Sequence, residues 1–265
     1  WGNSDRGGSG APSGNDFIAI YSSLSAFAAL RGDGSIAAWG GSGRGGTDAP
    51  LGTGFVEIYS SLSAFAALKD DGSIAVWGDP GLGGSGSPSG TGFVAIYSNH
   101  LAFAALKHDG SITAWGLPGS GGTDAPLGTG FVEIYSTSRA FAALKNDGSI
   151  EAWGDPFNGG SGDPSGNDFI AIYSSSLAFA ALKDDGSIAV WGHSLDGGSG
   201  APSGTGFIDI YSTSSAFAAL KNDGSIEVWG NSDRGGSGPP SGTGFTLFNS
   251  FTSHNSENRN ISAYM

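Results

Sequence analysis

Four histidines, His100, His108, His193 and His254, are the residues most able to do chemistry in this chain. They do not repeat, and none lies in a HExxH-like spacing that would turn two imidazoles to one face of a helix. His254 and Glu257 share one H-x-x-E spacing, too little for a metal centre. Cysteine is absent, so thiolate ligands, disulfides and cysteine nucleophiles are excluded. Aspartates recur before glycine at Asp33, Asp71, Asp109, Asp147, Asp185 and Asp223. A ring of carboxylates would attract cations, but Asp-Gly is also the pairing a tight hairpin turn requires, and we expect the turn role. The basic residue two positions earlier (Arg31, Lys69, Lys107, Lys145, Lys183, Lys221) is expected to pair locally with it. There is no nucleophile elbow and no phosphate loop ending in Lys-Ser or Lys-Thr. Catalysis needs unlike groups converging on one point, and these groups repeat instead. The expectation is a non-enzyme with no cofactor and no bound metal.

The elements that carry these residues follow a strict period. Tryptophan stands at 1, 39, 77, 115, 153, 191 and 229, always 38 residues apart and always followed by glycine. Six regular repeats therefore fill 1–38, 39–76, 77–114, 115–152, 153–190 and 191–228. A seventh, 229–265, keeps WGNSDRGGSGPPSGTGF and then diverges. A coarser alternation runs through the third residue of the FVxIYS segment: Ala19, Glu57, Ala95, Glu133, Ala171, Asp209. It is the pattern expected of an array that grew in pairs.

Each repeat holds three strand candidates, FVEIYS (Phe55–Ser60), AFAALK (Ala64–Lys69) and SIAVWG (Ser73–Gly78) in the second copy. No sustained 3.6-residue period occurs, so the chain reads as all-β. Three short strands cannot bury two faces alone, whereas stacked repeats can. AFAALK is apolar at consecutive positions, so both of its faces must be covered. That favours a ring of radial sheets over a solenoid, and seven units suit a propeller. The tryptophans are expected to pack between blades rather than serve as sugar-stacking platforms.

AFAALKDDGSIAVWG followed by a Gly-Gly loop resembles the repeat of the regulator-of-chromosome-condensation family, most of all its compact bacterial members of the β-lactamase-inhibitor type. The likeness covers 1–245 and recurs in every unit. It implies a seven-bladed β-propeller of about three strands per repeat, forming a single domain over 1–265. The family's Gly-x-x-His before the second strand is replaced by Ser60-Ser61-Leu62-Ser63-Ala64, so that its histidine is Ala64, and its Gln-Leu by Gly46-Thr47. Eukaryotic members act on a small GTPase and on chromatin through inserted elements absent here, whereas the inhibitor member binds its enzyme through loops on one rim.

Charge and composition limit the partner. Lys and Arg number 11 against 24 Asp and Glu, a formal charge of −13 that repels phosphate backbones, so no nucleic-acid partner is expected. No run of about 18 apolar residues exists, so membrane insertion is not expected. The chain starts at Trp1 and has its only methionine at Met265, and it reads as a processed form or a fragment.

Two tracts differ between otherwise similar repeats, one after Trp-Gly and one after IYS. Strand alternation puts both on the same rim. Rigid scaffolds that present variable loops are commonly binding modules. The larger residues there, Leu62, Leu82, His100, Arg139, Phe157, Leu177, His193 and Leu195, are the candidate protein-binding residues. The leading expectation is a protein partner or self-association, outside the cell or at its surface. A repetitive adhesin or matrix segment and a lectin are the alternatives, and a small-molecule ligand is not expected. The tail is expected to complete a degenerate seventh blade, with Tyr264 near the missing tryptophan. Asn260-Ile261-Ser262 is a formal glycosylation sequon.

Overall fold

The second strand of every repeat has two apolar faces, and the architecture follows from covering both. A computed structural model describes residues 3–242 and Phe245. The tail with Tyr264, the sequon, His254 and Trp1 lie outside the described residues. The chain forms two compact units, one up to Thr129 and one from Gly130. The first contains three antiparallel sheets: Phe17–Ser22, Ala26–Arg31 and Ile36–Gly40; Phe55–Ser60, Ala64–Lys69 and Ile74–Gly78; and Phe93–Ser98, Ala102–Lys107 and Ile112–Gly116. The second also contains three: Phe131–Ser136, Ala140–Lys145 and Ile150–Gly154; Phe169–Ser174, Ala178–Lys183 and Ile188–Gly192; and Phe207–Ser212, Ala216–Lys221 and Ile226–Gly230. Six three-stranded sheets thus stand among the described residues. Each runs from the phenylalanine of FVxIYS to Trp-Gly, so a repeat counted from tryptophan straddles two sheets.

Within each unit, alternation along the second strand decides the packing. Ala26, Ala28 and Leu30 of the first sheet meet Phe55, Ile58, Phe65, Ala67 and Trp77 of the second. On the second sheet's own central strand, Phe65 and Ala67 face back, while Ala64, Ala66 and Leu68 face forward onto Phe93, Ile96, Phe103 and Trp115. The second unit repeats this, with Ala178, Ala180 and Leu182 against Phe207, Ile210, Phe217 and Trp229. The small residues let neighbouring backbones approach, and the aromatic residues fill the opposite side. Phe65 pairs across the ladder with Trp77, and their rings stack at 5.1 Å and 19°. The indole N–H of Trp77 donates to Gly45 O at 2.9 Å. Trp77, Trp115, Trp153, Trp191 and Trp229 are buried, which removes them as sugar platforms.

Backbone bonds lock successive sheets at both ends. The hairpin tip of one sheet holds the start of the next, as where Phe93 N–H donates to Gly72 O at 3.1 Å. At the opposite end, Leu24 N–H donates to Leu62 O and Leu62 N–H to His100 O, at 3.0 and 2.9 Å. In the second unit Ser138 N–H donates to Ser176 O and Ser176 N–H to Ser214 O, at 2.8 and 3.0 Å.

The hairpin tip differs from the two-residue turn that Asp-Gly suggests. Gly72 N–H donates to Lys69 O and Lys69 N–H to Ser73 O, both at 2.9 Å, and only Gly72, at φ 76°, is left-handed. A type I turn is thus followed by one left-handed glycine, a three-residue loop. Asp71 Oδ1 accepts the Ser73 N–H at 2.8 Å, so the aspartate serves the turn. Its expected basic partner acts on it only as a nearby charge and makes its closer contact elsewhere: Lys69 Nζ lies 4.9 Å above the Phe55 ring, and the same cation–π contact recurs in all six sheets. Lys145 and Lys221 also pair with Glu151 and Glu227 on the third strand.

The loop after Trp-Gly folds back on the sheet it leaves. A Cβ on Gly84 would lie 2.4 Å from the Gly78 carbonyl carbon, and a Cβ on Gly119 would meet nothing within 4 Å. Gly84→Ala is therefore expected to destabilise by about 1–3 kcal/mol, the usual range for overpacking. Gly119→Ala should stay within about 0.5 kcal/mol of the parent, as surface changes do. Denaturant titration followed by tryptophan fluorescence compares the two.

Candidate functional site

The two variable tracts meet at the end of each sheet opposite its hairpin tip. The tract after Trp-Gly forms one turn of 3₁₀-helix, such as Pro80–Leu82 and Pro156–Asn158, closed by a left-handed glycine. A side chain caps it where one is available: Asp79 Oδ1 accepts the Gly81 N–H and Asp155 Oδ1 the Phe157 N–H, both at 2.9 Å. In the tract after IYS, the first residue ties the two tracts together. Ser61 Oγ donates to Leu82 O at 3.0 Å and accepts the Ala64 N–H at 3.1 Å. Asn99 does the same through Nδ2, 2.7 Å from Ser120 O, and Thr137 through Oγ1, 2.9 Å from Asn158 O. The residue type varies there while the hydrogen bond stays.

This geometry divides the eight candidate residues. Leu62 and His100 are half-buried, and their backbones form the bonds between sheets. Leu177 is half-buried and its carbonyl accepts the His193 N–H at 2.9 Å. Leu82 is half-buried and its carbonyl takes the Ser61 hydroxyl. His193 is half-buried, its Nδ1 2.5 Å from Oδ2 of the buried Asp196. Arg139, Phe157 and Leu195 point into solvent, Phe157 at 81% and Leu195 at 69% exposure. Phe157 and Leu195 occupy the same structural position one repeat apart, the middle of the 3₁₀ turn, and both belong to the second unit.

That middle position varies widely in the repeat. Down the chain it holds Asp5, Gly43, Gly81, Gly119, Phe157, Leu195 and Asp233. A Cβ built on Gly43 would touch nothing within 4 Å. The scaffold places no demand on the side chain there, so what stands in it answers only to solvent or a partner.

Both ends are mixed in charge. Against the bases Arg31, Lys69, Lys107, Lys145, Lys183 and Lys221, the hairpin tips carry Asp33, Asp70, Asp71, Asp109, Asp147, Asp184, Asp185 and Asp223. In six of these (all but Asp70 and Asp184), the following serine's hydroxyl and amide hold the carboxyl below its ordinary range. The variable tracts are nearly balanced, with Asp5, Asp79, Asp155, Asp196 and Asp233 against Arg6, Arg44, Arg139 and Arg234. Among the described residues, no three His, Cys, Asp or Glu side chains are grouped as metal ligands would be. No helix among them is long and apolar enough to cross a membrane.

The alternating carboxylates of the first strands join tyrosines. Tyr59 donates its hydroxyl to Glu57, Tyr135 to Glu133 at 2.8 Å, and Tyr173 to Asp209 of the next sheet at 2.8 Å. Asp209 is buried and also accepts the Ile210 N–H at 2.8 Å.

No family model matches the chain, and no curated protein matches it in sequence. Solved structures do match its fold. The ectodomain of the receptor kinase CR4 from Physcomitrella patens superposes with a TM-score of 0.55 at 19% identity, over 80% of this chain and 62% of that one. This chain thus spans less than two thirds of that ectodomain. The CRINKLY WD40 ectodomain of ACR4 from Arabidopsis thaliana gives 0.52 at 18% identity, over 81% and 79% of the two chains. Prp20p of Saccharomyces cerevisiae, the yeast RCC1, gives 0.51 at 15%, over 81% and 72%. The fold is therefore that of an RCC1-like β-propeller built of repeated three-stranded sheets.

Burial, then the Asp209 carboxylate, raises the Tyr173 phenol well above its usual value, and burial with the same carboxylate raises Tyr211 to about 12. The unfolded phenols titrate near 10. Between these values the folded chain holds protons that the unfolded chain has released, so stability is complete below about pH 10 and falls as pH rises toward 12. Denaturant midpoints measured across that window should fall with pH, and fall less steeply in Tyr173→Phe/Tyr211→Phe.

Proposed function

We propose that the protein is a non-catalytic interaction module that docks a protein partner on the loop end of its sheets, with Phe157 and Leu195 as the apolar anchors. The observation behind this reading is the unconstrained 3₁₀ position, where two neighbouring repeats expose large apolar side chains that the scaffold does not need. Hot spots favour aromatic and Arg residues, and Arg139 lies on the same sheet as the loop carrying Phe157, its carbonyl accepting the Asp155 N–H at 3.0 Å. Two of the similar structures are receptor-kinase ectodomains, and the work on Prp20p concerns its binding to Gsp1p and histones. These favour a protein partner and, for this chain, a place outside the cell or at its surface. Its negative charge argues against nucleic acid.

The finer reading is a seven-bladed ring in the compact bacterial style, with 229–265 as the last blade. Phe245 N–H donates to Gly224 O at 3.3 Å, as Phe207 N–H does to Gly186 O at 3.1 Å, and this recurrence supports the reading. Tyr211 is 51% exposed where Tyr59 is 1%, and Ile20 is 64% exposed where Ile58 is 0%, so the first and sixth sheets each have a face awaiting cover. The second functional reading, a repetitive adhesin or matrix segment, is favoured by the identical ladder register of all six sheets.

The test is capture of proteins from the native milieu on immobilised protein, compared with Phe157→Ser/Leu195→Ser and with a hairpin-end control, Asp71→Ser/Asp109→Ser. A partner lost by the first and kept by the second is the expected result. A partner kept by both removes the loop end as the docking surface, and the absence of any partner favours the architectural reading.

A further inference from the structure

The first unit carries a different surface at its loop end. Where the second unit exposes Phe157 and Leu195, the first has Asp5, Gly43 and Gly81 at the same position. Between its loops lies an open depression of about 500 Å³, walled by Asp5, Arg6, Leu24, Ser25, Arg44 and Asp79, among others. Three successive repeats contribute to it.

Its charges balance on paper, but its hydrogen-bonding capacity does not. Asp79 has Oδ1 committed to the Gly81 N–H at 2.9 Å. Asp5 takes a long bond from the Ser4 hydroxyl at 3.4 Å. Arg44 gives one nitrogen, Nη1, to Ser63 Oγ at 3.0 Å and has further N–H groups to offer. The Arg6 guanidinium makes no hydrogen bond or ion pair among the described residues. Two guanidinium groups therefore line one cleft with most of their donors unused. Guanidinium forks match carboxylates in shape and charge. The first unit's hairpin-tip carboxylates, Asp33, Asp70, Asp71 and Asp109, lie at the far end of these sheets, and salt screens charge over about 10 Å.

We propose that this depression receives acidic side chains of a peptide or protein partner, with Arg6 and Arg44 as the carboxylate-binding groups. It rests on the reading of the loop end as the docking surface, and it adds a polar subsite on the first unit to the apolar anchors on the second.

A fluorescein-labelled peptide of alternating Glu and Gly, followed by anisotropy at low ionic strength, serves as the probe, with the Gln-Gly peptide as its neutral counterpart. The Glu peptide is expected to bind, and to weaken by at least about tenfold with Gln or on Arg6→Ser/Arg44→Ser. Phe157→Ser/Leu195→Ser should leave it unchanged, which separates this subsite from the apolar one. Arg6→Ser alone supports no other contact, so its loss of affinity stands even if the Arg44 change disturbs the Ser63 bond. No binding of the Glu peptide, equal binding of the Gln peptide, full retention by the double arginine variant, or loss on the Phe157/Leu195 variant would each overturn the assignment.

Discussion

The packing of one central strand against two neighbours at once governs everything else in this protein. Ala64, Ala66 and Leu68 meet the sheet ahead, and Phe65 and Ala67 meet the sheet behind. Since side chains alternate along a strand, a single six-residue segment supplies half of two interfaces. Phe65 completes its side only by stacking on Trp77, and Trp77 is held in turn by the Gly45 carbonyl. Fully burying a side chain such as Phe contributes roughly 1.5–3 kcal/mol, so each interface gains several such increments. No sheet can gain them alone, because each lacks a partner on one face until the next repeat is in place. The faces of the first and sixth sheets that leave Ile20 and Tyr211 exposed are the local consequence.

That interface also fixes what the loops can do. The 3₁₀ turn after Trp-Gly leaves from the residue that closes the core, and it is pinned by its cap, by the left-handed glycine and by the hydroxyl or amide from the neighbouring tract. Ser61, Asn99 and Thr137 look like drift in the sequence, yet each donates to the carbonyl of the residue ending the turn. The loop is thus rigid in its backbone and free in one side chain. A surface of that kind can change one residue per repeat with the fold left intact.

Much of this was legible from spacing. The 38-residue period, the three strands and the buried tryptophans follow from composition and alternation, and the structure keeps them. The Asp-Gly tip read as a two-residue turn because the dipeptide is the same; the extra residue shows only in the backbone, where Gly72 alone is left-handed. Lys69 was expected beside Asp71 because they are near in sequence. The pleat instead lays Lys69 opposite Phe55 on the adjacent strand, and the ladder register gives that pairing. At the loop end, Leu62, His100 and Leu177 looked like contact residues because they vary. Their backbones carry scaffold bonds, so size and variability alone could not separate them from Phe157 and Leu195. Arg6 and Arg44 lay inside the same variable tract and carried no distinguishing signal, because their convergence depends on how successive repeats stack.

The repeats have diverged unequally. Positions in the interfaces hardly change: the AFAAL core of the central strand is the same in all six sheets. Alternate repeats differ at Glu57, Glu133 and Asp209, where the carboxylate engages tyrosine and the difference stays inside the scaffold. Only the middle of the 3₁₀ turn spans the full range from no side chain to Phe. Drift on an exposed loop would scatter small and polar residues, and Gly43, Gly81 and Gly119 are of that kind. Phe157 and Leu195, side by side in successive repeats, are not, because an exposed apolar side chain contributes nothing to the monomer's stability and raises its tendency to associate.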